Sequence, residues 1–208
     1  MKIAKIAALG CLLGLSGAAT ASMLDLNVTG GYTTLDMADL NAKLPAGSTK
    51  INSGYYVGAD AGFSLMPFLK IGPRVEYLSA NQGTLKNPLY QETIQPTLTS
   101  AELGLSTDWS LPLTGLGISG GVWGGYGWMK TELSIPGQPS ANLSSGNVTG
   151  EALVRLKYSI FSPLSVELEG GYRVAKMTEL SIDKGSALGY PDFDFSGMNL
   201  GAGLNLNF

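Results

Sequence analysis

From residue 22 onward, apolar residues alternate with polar residues or glycines over stretches of about ten residues. The sixth stretch is the clearest, because Val154 and Leu156 have one parity and Arg155 and Lys157 have the other. Alternation of this kind predicts a β-strand with one apolar face. The whole chain contains eight such stretches, near residues 24–32, 54–65, 69–77, 101–106, 116–128, 148–160, 164–174 and 198–208.

The links between these stretches alternate in length. Short links are predicted near residues 66–68, 107–114 and 161–163, and long polar links near 35–53, 79–97, 131–147 and 177–195. An even number of strands with short turns at one end and longer loops at the other is typical of outer-membrane barrels. The pattern therefore predicts an all-β fold, an eight-stranded antiparallel up-and-down transmembrane β-barrel, with a short helix between Leu35 and Leu44 as a further candidate element.

The position of the aromatic residues indicates which face meets lipid. A soluble eight-stranded barrel would also alternate, but it would turn its apolar face inward and its charges toward water. Here, aromatics that share the parity of the apolar face fall near the ends of strands, as in the two aromatic girdles of a membrane barrel. The predicted membrane-interface aromatics are Tyr32, Tyr55, Tyr77, Tyr126, Trp128 and Tyr172 at the extracellular ends, and Tyr158 and Phe208 at the opposite ends.

The last strand carries a further signal, with apolar residues at every second position from Leu200 to the terminal Phe208. This run resembles the C-terminal recognition signal of outer-membrane barrels. Together with the eight stretches, the chain is similar to the small OmpA/OmpX/OmpW-type barrels. That resemblance implies location in the bacterial outer membrane, contact with outer-membrane lipid and lipopolysaccharide, and recognition of the strand ending at Phe208 by the outer-membrane assembly machinery.

Residues 1–21 are predicted to be a signal peptide, which leaves residues 22–208 as a single outer-membrane barrel domain. The segment begins with Lys2 and Lys5, continues through the apolar run 6–15 and ends in a small-x-small cleavage pattern at residues 19–21. A transmembrane anchor would need about 20 apolar residues, and glycines interrupt this run. A lipoprotein acylated at Cys11 is the other alternative, but it would leave a very short hydrophobic segment before the cysteine.

Composition and charge exclude several classes of protein. Glycine accounts for 29 residues and charged residues for 14% of the chain, which disfavours both a helical bundle and a disordered protein. The formal net charge is −3, and removal of Lys2 and Lys5 would leave −5. A mildly acidic chain with scattered basic residues has no positively charged surface of the kind that binds nucleic acid. As a separate expectation, the barrel is predicted to be a monomer.

Charged residues in the predicted strands have the parity of the inward face. An isolated buried ion is costly, so these residues are expected to pair across the lumen. Arg74, Arg155 and Arg173 are the expected centres of pairing, because a guanidinium can serve two carboxylates. The predicted lumen charge network comprises Lys70, Arg74, Glu76, Glu102, Glu151, Arg155, Lys157, Glu167, Glu169 and Arg173, with Asp25 and Asp60 on the same face.

Two interpretations of this network remain open. Eight strands enclose a bore that side chains are able to fill, which favours a salt-bridged plug. Many inward glycines leave room that a tight plug would not require, which favours a narrow path for ions or small solutes. The excess of carboxylates would make such a path weakly cation-selective.

The residues needed for familiar enzyme chemistry are missing. The chain contains no histidine, and its one cysteine lies in the predicted signal. This removes the usual general base, a thiol nucleophile and a zinc site. Glu167 and Glu169 could form a glycosidase pair, but they are more simply lumenal partners of basic residues. Four carboxylates in the last loop could bind Ca²⁺ or could simply be solvated charges. Their spacing does not match an EF-hand. They are Glu179, Asp183, Asp192 and Asp194.

The sequence thus predicts a protein without enzymatic activity, cofactor or metal. Its expected role is structural or in surface interaction, with a rigid barrel presenting the extracellular loops. A narrow pore for ions or small solutes, apolar ones included, is the alternative.

Overall fold

The computed structural model describes residues 24–44, 46–66, 69–86, 91–110, 115–134, 141–182 and 191–208. The predicted signal peptide lies outside the described residues. Eight long strands form the barrel, namely β1 (Leu24–Thr34), β2 (Ser53–Met66), β3 (Leu69–Ala80), β6 (Thr97–Ser110), β7 (Leu116–Ser134), β8 (Ala141–Phe161), β9 (Leu164–Val174) and β13 (Gly197–Asn207). The shorter elements are α1 (Ala38–Lys43), β4 (Gly83–Lys86), β5 (Gln91–Ile94), β10 (Lys176–Met177), β11 (Ser181–Ile182) and β12 (Phe193–Asp194).

The eight long strands form a closed antiparallel ring. Their order is β1-β2-β3-β6-β7-β8-β9-β13. The first and last strands close the ring, with a register that runs from Asp25 opposite Asn207 to Thr33 opposite Asn199. The predicted eight-stranded antiparallel barrel is therefore confirmed. Among the described residues, no helix is both long enough and apolar enough to cross a bilayer.

The two ends of the barrel differ as predicted. Three short connections join β2 to β3, β6 to β7 and β8 to β9, and we call this the turn end. The longer connections lie at the other end, which we call the loop end. Here the strands β7 and β8 continue past the ring, β5 pairs with β7, and β11 pairs with β8. The helix α1 lies in the first long connection, within the range 35–44 that the sequence indicates.

Inward glycines accommodate two aromatic rings inside the barrel. A Cβ atom on Gly104 or Gly121 would clash with the indole of Trp123, and one on Gly201 would clash with the phenol of Tyr56. A residue without a side chain is required wherever another group approaches the backbone this closely. At these positions, the room left by glycine is occupied by aromatic rings.

A compact apolar cluster lies at the loop end, and we call it the cap. It combines residues from the long connections with inward residues from the loop ends of the strands. Its members are Leu35, Met37, Leu40, Ile51, Tyr56, Leu78, Ala80, Ile94, Leu98, Met129, Leu143, Ala175, Met177, Phe193 and Phe195, all of them buried. The barrel therefore has an apolar core at one end of its lumen.

Candidate functional site

The interior below the cap is charged. The structure places all ten residues of the predicted network on the inward face, together with Asp25 and Asp60. A further carboxylate, Asp108, also points inward, because β6 extends to Ser110 where the sequence pattern indicates a turn. Eight carboxylates and five cations thus share the lumen of the described barrel.

Arg74, on β3, lies at the centre of this network with only 1% of its surface exposed. Its guanidinium contacts four carboxylates, one on β3 itself and one on each of three other strands. The nitrogen-to-oxygen distances are 3.1 Å to Asp60, 3.0 Å to Glu76, 2.8 Å to Glu151 and 3.3 Å to Glu169. A planar guanidinium with five donors is suited to this role, whereas an ammonium would leave some of these oxygens without a donor.

Arg155 and Arg173 extend the network on either side of Arg74. Arg155 lies 2.6 Å from Asp60 and 2.7 Å from Glu169. Arg173 contacts Glu76 directly and lies 3.4 Å from Glu151. Because these carboxylates also contact Arg74, the three arginines and their carboxylates form one connected structure across the lumen, which we call the arginine network.

The inward aromatic rings pack against these arginines. The guanidinium carbon of Arg155 is 5.4 Å from the centre of the Trp123 ring, and that of Arg74 is 6.0 Å from it. Arg173 lies 5.9 Å from the Tyr56 ring. Rings at these distances stabilise a desolvated cation, so the aromatics support the charged network as well as filling space.

A second charged group lies nearer the turn end. Lys70 pairs with Asp25 and lies 2.7 Å from Asp108, while Lys157 lies 3.3 Å from Asp108 and 3.7 Å from Asp25. These two lysines and two aspartates, which we call the lysine group, have no net charge. They separate the arginine network from the open turn end.

Two buried carboxylates lack a close cation. Glu102 accepts a hydrogen bond from the Thr149 hydroxyl at 2.7 Å, but its second oxygen has no donor among the described residues. Glu167 has no hydrogen-bond donor on either oxygen within the described chain, and its nearest cation is Arg155 Nε at 3.7 Å. The network therefore neutralises some of its carboxylates well and others poorly.

Little open space remains around the network. A cavity of about 10 Å³ lies between Asp60, Arg155 and the lysine group, which is room for about one water molecule. Below it, a vestibule of about 420 Å³ opens at the turn end, with Lys70, Asp108 and Lys157 at its inner limit. Above it, Arg74 and Arg173 are almost fully buried and the cap follows. The lumen is thus filled by ion pairs at mid-height and by apolar side chains at the loop end.

One backbone hydrogen bond joins the first and last long connections, and others hold the first connection together. The amide of Asp36 donates to the Ser196 carbonyl at 2.9 Å, and the amide of Leu35 donates to the Asn52 carbonyl at 2.8 Å. The Asn41 side chain, on α1, both donates to the Ile51 carbonyl and accepts from its amide. These bonds hold the loops in a defined arrangement over the barrel.

One exposed ion-pair group also lies at the loop end. Lys176 is 3.3 Å from Asp192 and 3.6 Å from Asp39 on α1. The hydrogen bond to Asp192, together with the charges of the neighbouring aspartates, raises the pKa of Lys176. Such solvated pairs contribute little to stability, but this one links the last loop to the helix.

Among the described residues, the loop carboxylates considered for Ca²⁺ form no group that could hold a metal ion. Asp192 pairs with Lys176, and Asp194 accepts a hydrogen bond from the Ser196 amide at 2.9 Å. Glu179 has a positive φ of 53°, and Asp183 lies outside the described residues.

The predicted interface aromatics all lie on the outward face and are 42–64% exposed. Near the loop end, Tyr32 is paired in register with Tyr55, and their rings are 5.8 Å apart. Tyr126 and Trp128 form a second edge-to-face pair at 5.3 Å. Tyr158 and Phe208 lie toward the turn end, where Trp109 and Phe161 are also exposed. The sequence pattern misses the last two because it ends the strands too early.

Solved structures with the same fold are outer-membrane proteins. The outer membrane protein OprG from Pseudomonas aeruginosa is 16% identical, with a TM-score of 0.53, over 88% of this chain and 95% of that one. A major outer membrane protein from Thermus thermophilus is 13% identical, with a TM-score of 0.56, over 91% of this chain and all of the other. The outer membrane protease OmpT from Escherichia coli is 9% identical with a TM-score of 0.45, over 90% of this chain and 96% of that one; this weaker likeness carries no argument about function.

No protein-family model matches the chain, and neither does any curated protein. At these identities the structural likeness establishes the fold. The chain has the fold of the small outer-membrane β-barrels, which confirms the resemblance seen in the sequence.

Proposed function

We propose that this chain is a non-enzymatic, monomeric protein of the bacterial outer membrane that acts in surface interaction through its loop end. The observation that carries the proposal is the cap, which packs the long connections into one folded surface above a filled lumen. Binding residues are commonly found on loops that a rigid scaffold positions. In this protein the barrel is the scaffold, and the cap reduces the freedom of the loops.

The outer surface of the cap has a recess suited to contact with a partner. It has a volume of about 360 Å³, and its polar lining comes from Asp36, Asn41, Lys50 and Asn52. Both charges and both amides belong to the first long connection. They offer donors and acceptors within a small area, as recognition sites do.

The filled lumen argues against the alternative of a narrow pore. A solute entering from the vestibule would meet the lysine group, then the arginine network and finally the cap. Passage would require separation of several buried ion pairs, each of which is costly to break. A conducting state would therefore need a rearrangement of the whole interior.

Conductance in a planar bilayer tests this point. Gel migration with and without heating would first show that the refolded protein is a stable barrel. We expect no steady conductance from this sample under conditions in which an open porin conducts. Reproducible current steps that change with Arg155→Lys or Glu102→Gln would instead establish the pore.

Surface labelling tests the location and orientation. The chain beyond the predicted signal has no cysteine, so a single substitution gives a unique label site. Asp39→Cys, at the loop end, should react with a membrane-impermeant maleimide on intact cells. Ser162→Cys, at the turn end, should react only after the outer membrane has been permeabilised. The reverse pattern, or equal labelling of both sites, would refute the proposed orientation.

Two further partners are part of the proposal. Outer-membrane lipid and lipopolysaccharide would surround the outward face, which exposes large apolar side chains along all eight strands. The assembly machinery would recognise the last strand, where Phe208 follows β13 and its amide donates to the Leu24 carbonyl at 2.9 Å. Replacement of Phe208 by alanine should lower the amount of folded barrel in cells without changing refolding in detergent.

A further inference from the structure

The outward face of the eight barrel strands contains a single basic residue in the described chain, Lys130 on β7. All other basic residues of these strands point into the lumen. Charges are excluded from the hydrocarbon region of a bilayer because they are costly there. Lys130 therefore marks the height on β7 at which the apolar belt gives way to the polar headgroups.

The neighbours of Lys130 on its own strand support this height. Tyr126, Trp128 and Lys130 follow one another on the outward face, with the two rings forming the edge-to-face pair described above. Successive residues on one face of a strand are about 7 Å apart. The ammonium thus lies one step above an aromatic pair of the kind that sits at the boundary between hydrocarbon and headgroups.

The strand register places other polar groups beside Lys130. Thr97 lies directly opposite it on β6, and Ser144 lies opposite it on β8. On the far side of β6, Ser79 pairs with Thr97, and Tyr55 then pairs with Ser79. One rung of the outward face therefore carries a lysine on β7 and hydroxyl groups on β2, β3, β6 and β8, and we call these hydroxyl groups the hydroxyl rung.

Lys130 has no ion-pair partner among the described residues. The exposed Lys176, by contrast, is held by two aspartates. The acidic residue Glu132 lies one step farther out on the same face, about 7 Å along the strand. An unpaired ammonium at the headgroup level attracts a phosphate.

The hydroxyl rung supplies both donors and acceptors. The Thr97 hydroxyl donates to the Lys130 carbonyl at 3.0 Å, so its oxygen is left to accept a bond from a sugar hydroxyl. A serine or tyrosine hydroxyl can in addition donate to a phosphate oxygen. The rung therefore matches a headgroup that contains sugar hydroxyls as well as phosphate.

We propose that Lys130 and the hydroxyl rung form a binding site for the phosphorylated sugar headgroup of an outer-leaflet glycolipid. The inference rests on the proposed location in the outer membrane. It is specific to a glycolipid because hydroxyl groups outnumber cations at this rung. A simple anionic phospholipid would be bound by charge alone and would make little use of the neighbouring strands.

Native mass spectrometry of the protein released from nanodiscs tests the site. The discs would contain phosphatidylcholine with equal small fractions of bisphosphorylated lipid A, its fully dephosphorylated form, or phosphatidylglycerol. We expect retention of lipid A above phosphatidylglycerol, and loss of that retention on dephosphorylation. Lys130→Gln should lower the apparent affinity for lipid A about tenfold, since a charge-assisted hydrogen bond is removed.

Two variants control for structure and for general charge. Lys130→Arg should retain lipid A, because the cation is kept. Lys176→Gln removes one positive charge from the same end of the barrel at a paired position, and it should leave lipid A retention unchanged.

The other results would each overturn the inference. Equal retention of lipid A and phosphatidylglycerol would overturn the choice of a glycolipid. Unchanged retention by Lys130→Gln, or an equal loss with Lys176→Gln, would overturn the assigned site. Protein that forms no heat-modifiable barrel in the discs would refute the proposed membrane location and the inference with it, and the gel distinguishes that failure from a failure of lipid binding.

Discussion

The guanidinium carbon of Arg155 lies 5.4 Å from the centre of the Trp123 ring inside the barrel. The ring also lies against glycines, and any side chain at those glycine positions would clash with it. The ring thus occupies space made by glycine and contacts a cation that is held by carboxylates on other strands. Packing and charge are satisfied by the same residue.

Replacement of Trp123 should therefore be unusually costly. Trp123→Ala removes a buried ring and leaves a cavity beside charged groups, and we expect a loss of about 3–5 kcal/mol in the free energy of unfolding. Urea titration of the protein refolded in phospholipid vesicles would measure it. Trp128→Ala, on the outward face, is the matched control and should cost less. Equal costs would show that the inward ring has no special role.

Two glutamates on β9 differ in how closely the basic residues of the network approach them. Glu169 contacts Arg74 and Arg155, and it also accepts a hydrogen bond from the Tyr56 hydroxyl at 3.0 Å. Glu169→Gln leaves the two arginines short of a counter-charge, and the expected cost is about 3–5 kcal/mol of unfolding free energy, as for other broken buried ion pairs.

Glu167→Gln is the matched change two residues away. Because neither of its carboxylate oxygens has a donor within the described residues, removal of the charge should cost nothing or raise the stability. The same vesicle titration compares the two variants. If both variants lose the same stability, the unequal neutralisation seen in the network has no energetic consequence.

The sequence predicts which side chains point inward but not how they pair. Strand alternation defines a face for each residue, so the inward position of Arg74 or Glu169 follows from parity. Their contact joins β3 to β9 across the lumen, and no local pattern indicates that two residues so far apart in sequence lie at the same height. Asp108 escapes the pattern because the alternation weakens near the turn.

The cap is not predicted either. Phe193 and Phe195 are fully buried within it, but they lie in a stretch whose irregular spacing indicates a polar loop. Helical or strand periodicity reveals an apolar face only in a regular element. A core built from loops therefore leaves little trace in the sequence pattern, and its presence depends on contacts among distant segments.

The cap should unfold separately from the barrel. Phe193→Ala removes a fully buried ring from the cap and none from the barrel wall, so we expect faster hydrogen exchange in the loops with little change in the barrel strands. Exchange measured by mass spectrometry on the protein in nanodiscs would show this for peptides covering 35–44 and 175–182. Val28→Ala, at an outward position on β1, should change neither region. Faster exchange throughout the barrel strands in Phe193→Ala would contradict an independent cap.

The cost of placing a charge on the outward face should depend on its depth in the apolar belt. Val154 is 60% exposed on β8, midway between the aromatic residues of the two ends. Val154→Lys should lower the free energy of unfolding in lipid by about 2–4 kcal/mol, because a lysine near the bilayer midplane loses its hydration. Thr99 lies on the rung of Trp128, so Thr99→Lys places the same charge near the headgroups and should cost about 0–1 kcal/mol. Vesicle titrations of both variants would compare them. Equal cost at the two depths would mean that the outward face does not meet a bilayer, since only a hydrocarbon slab makes the penalty for one side chain depend on its height along the strand.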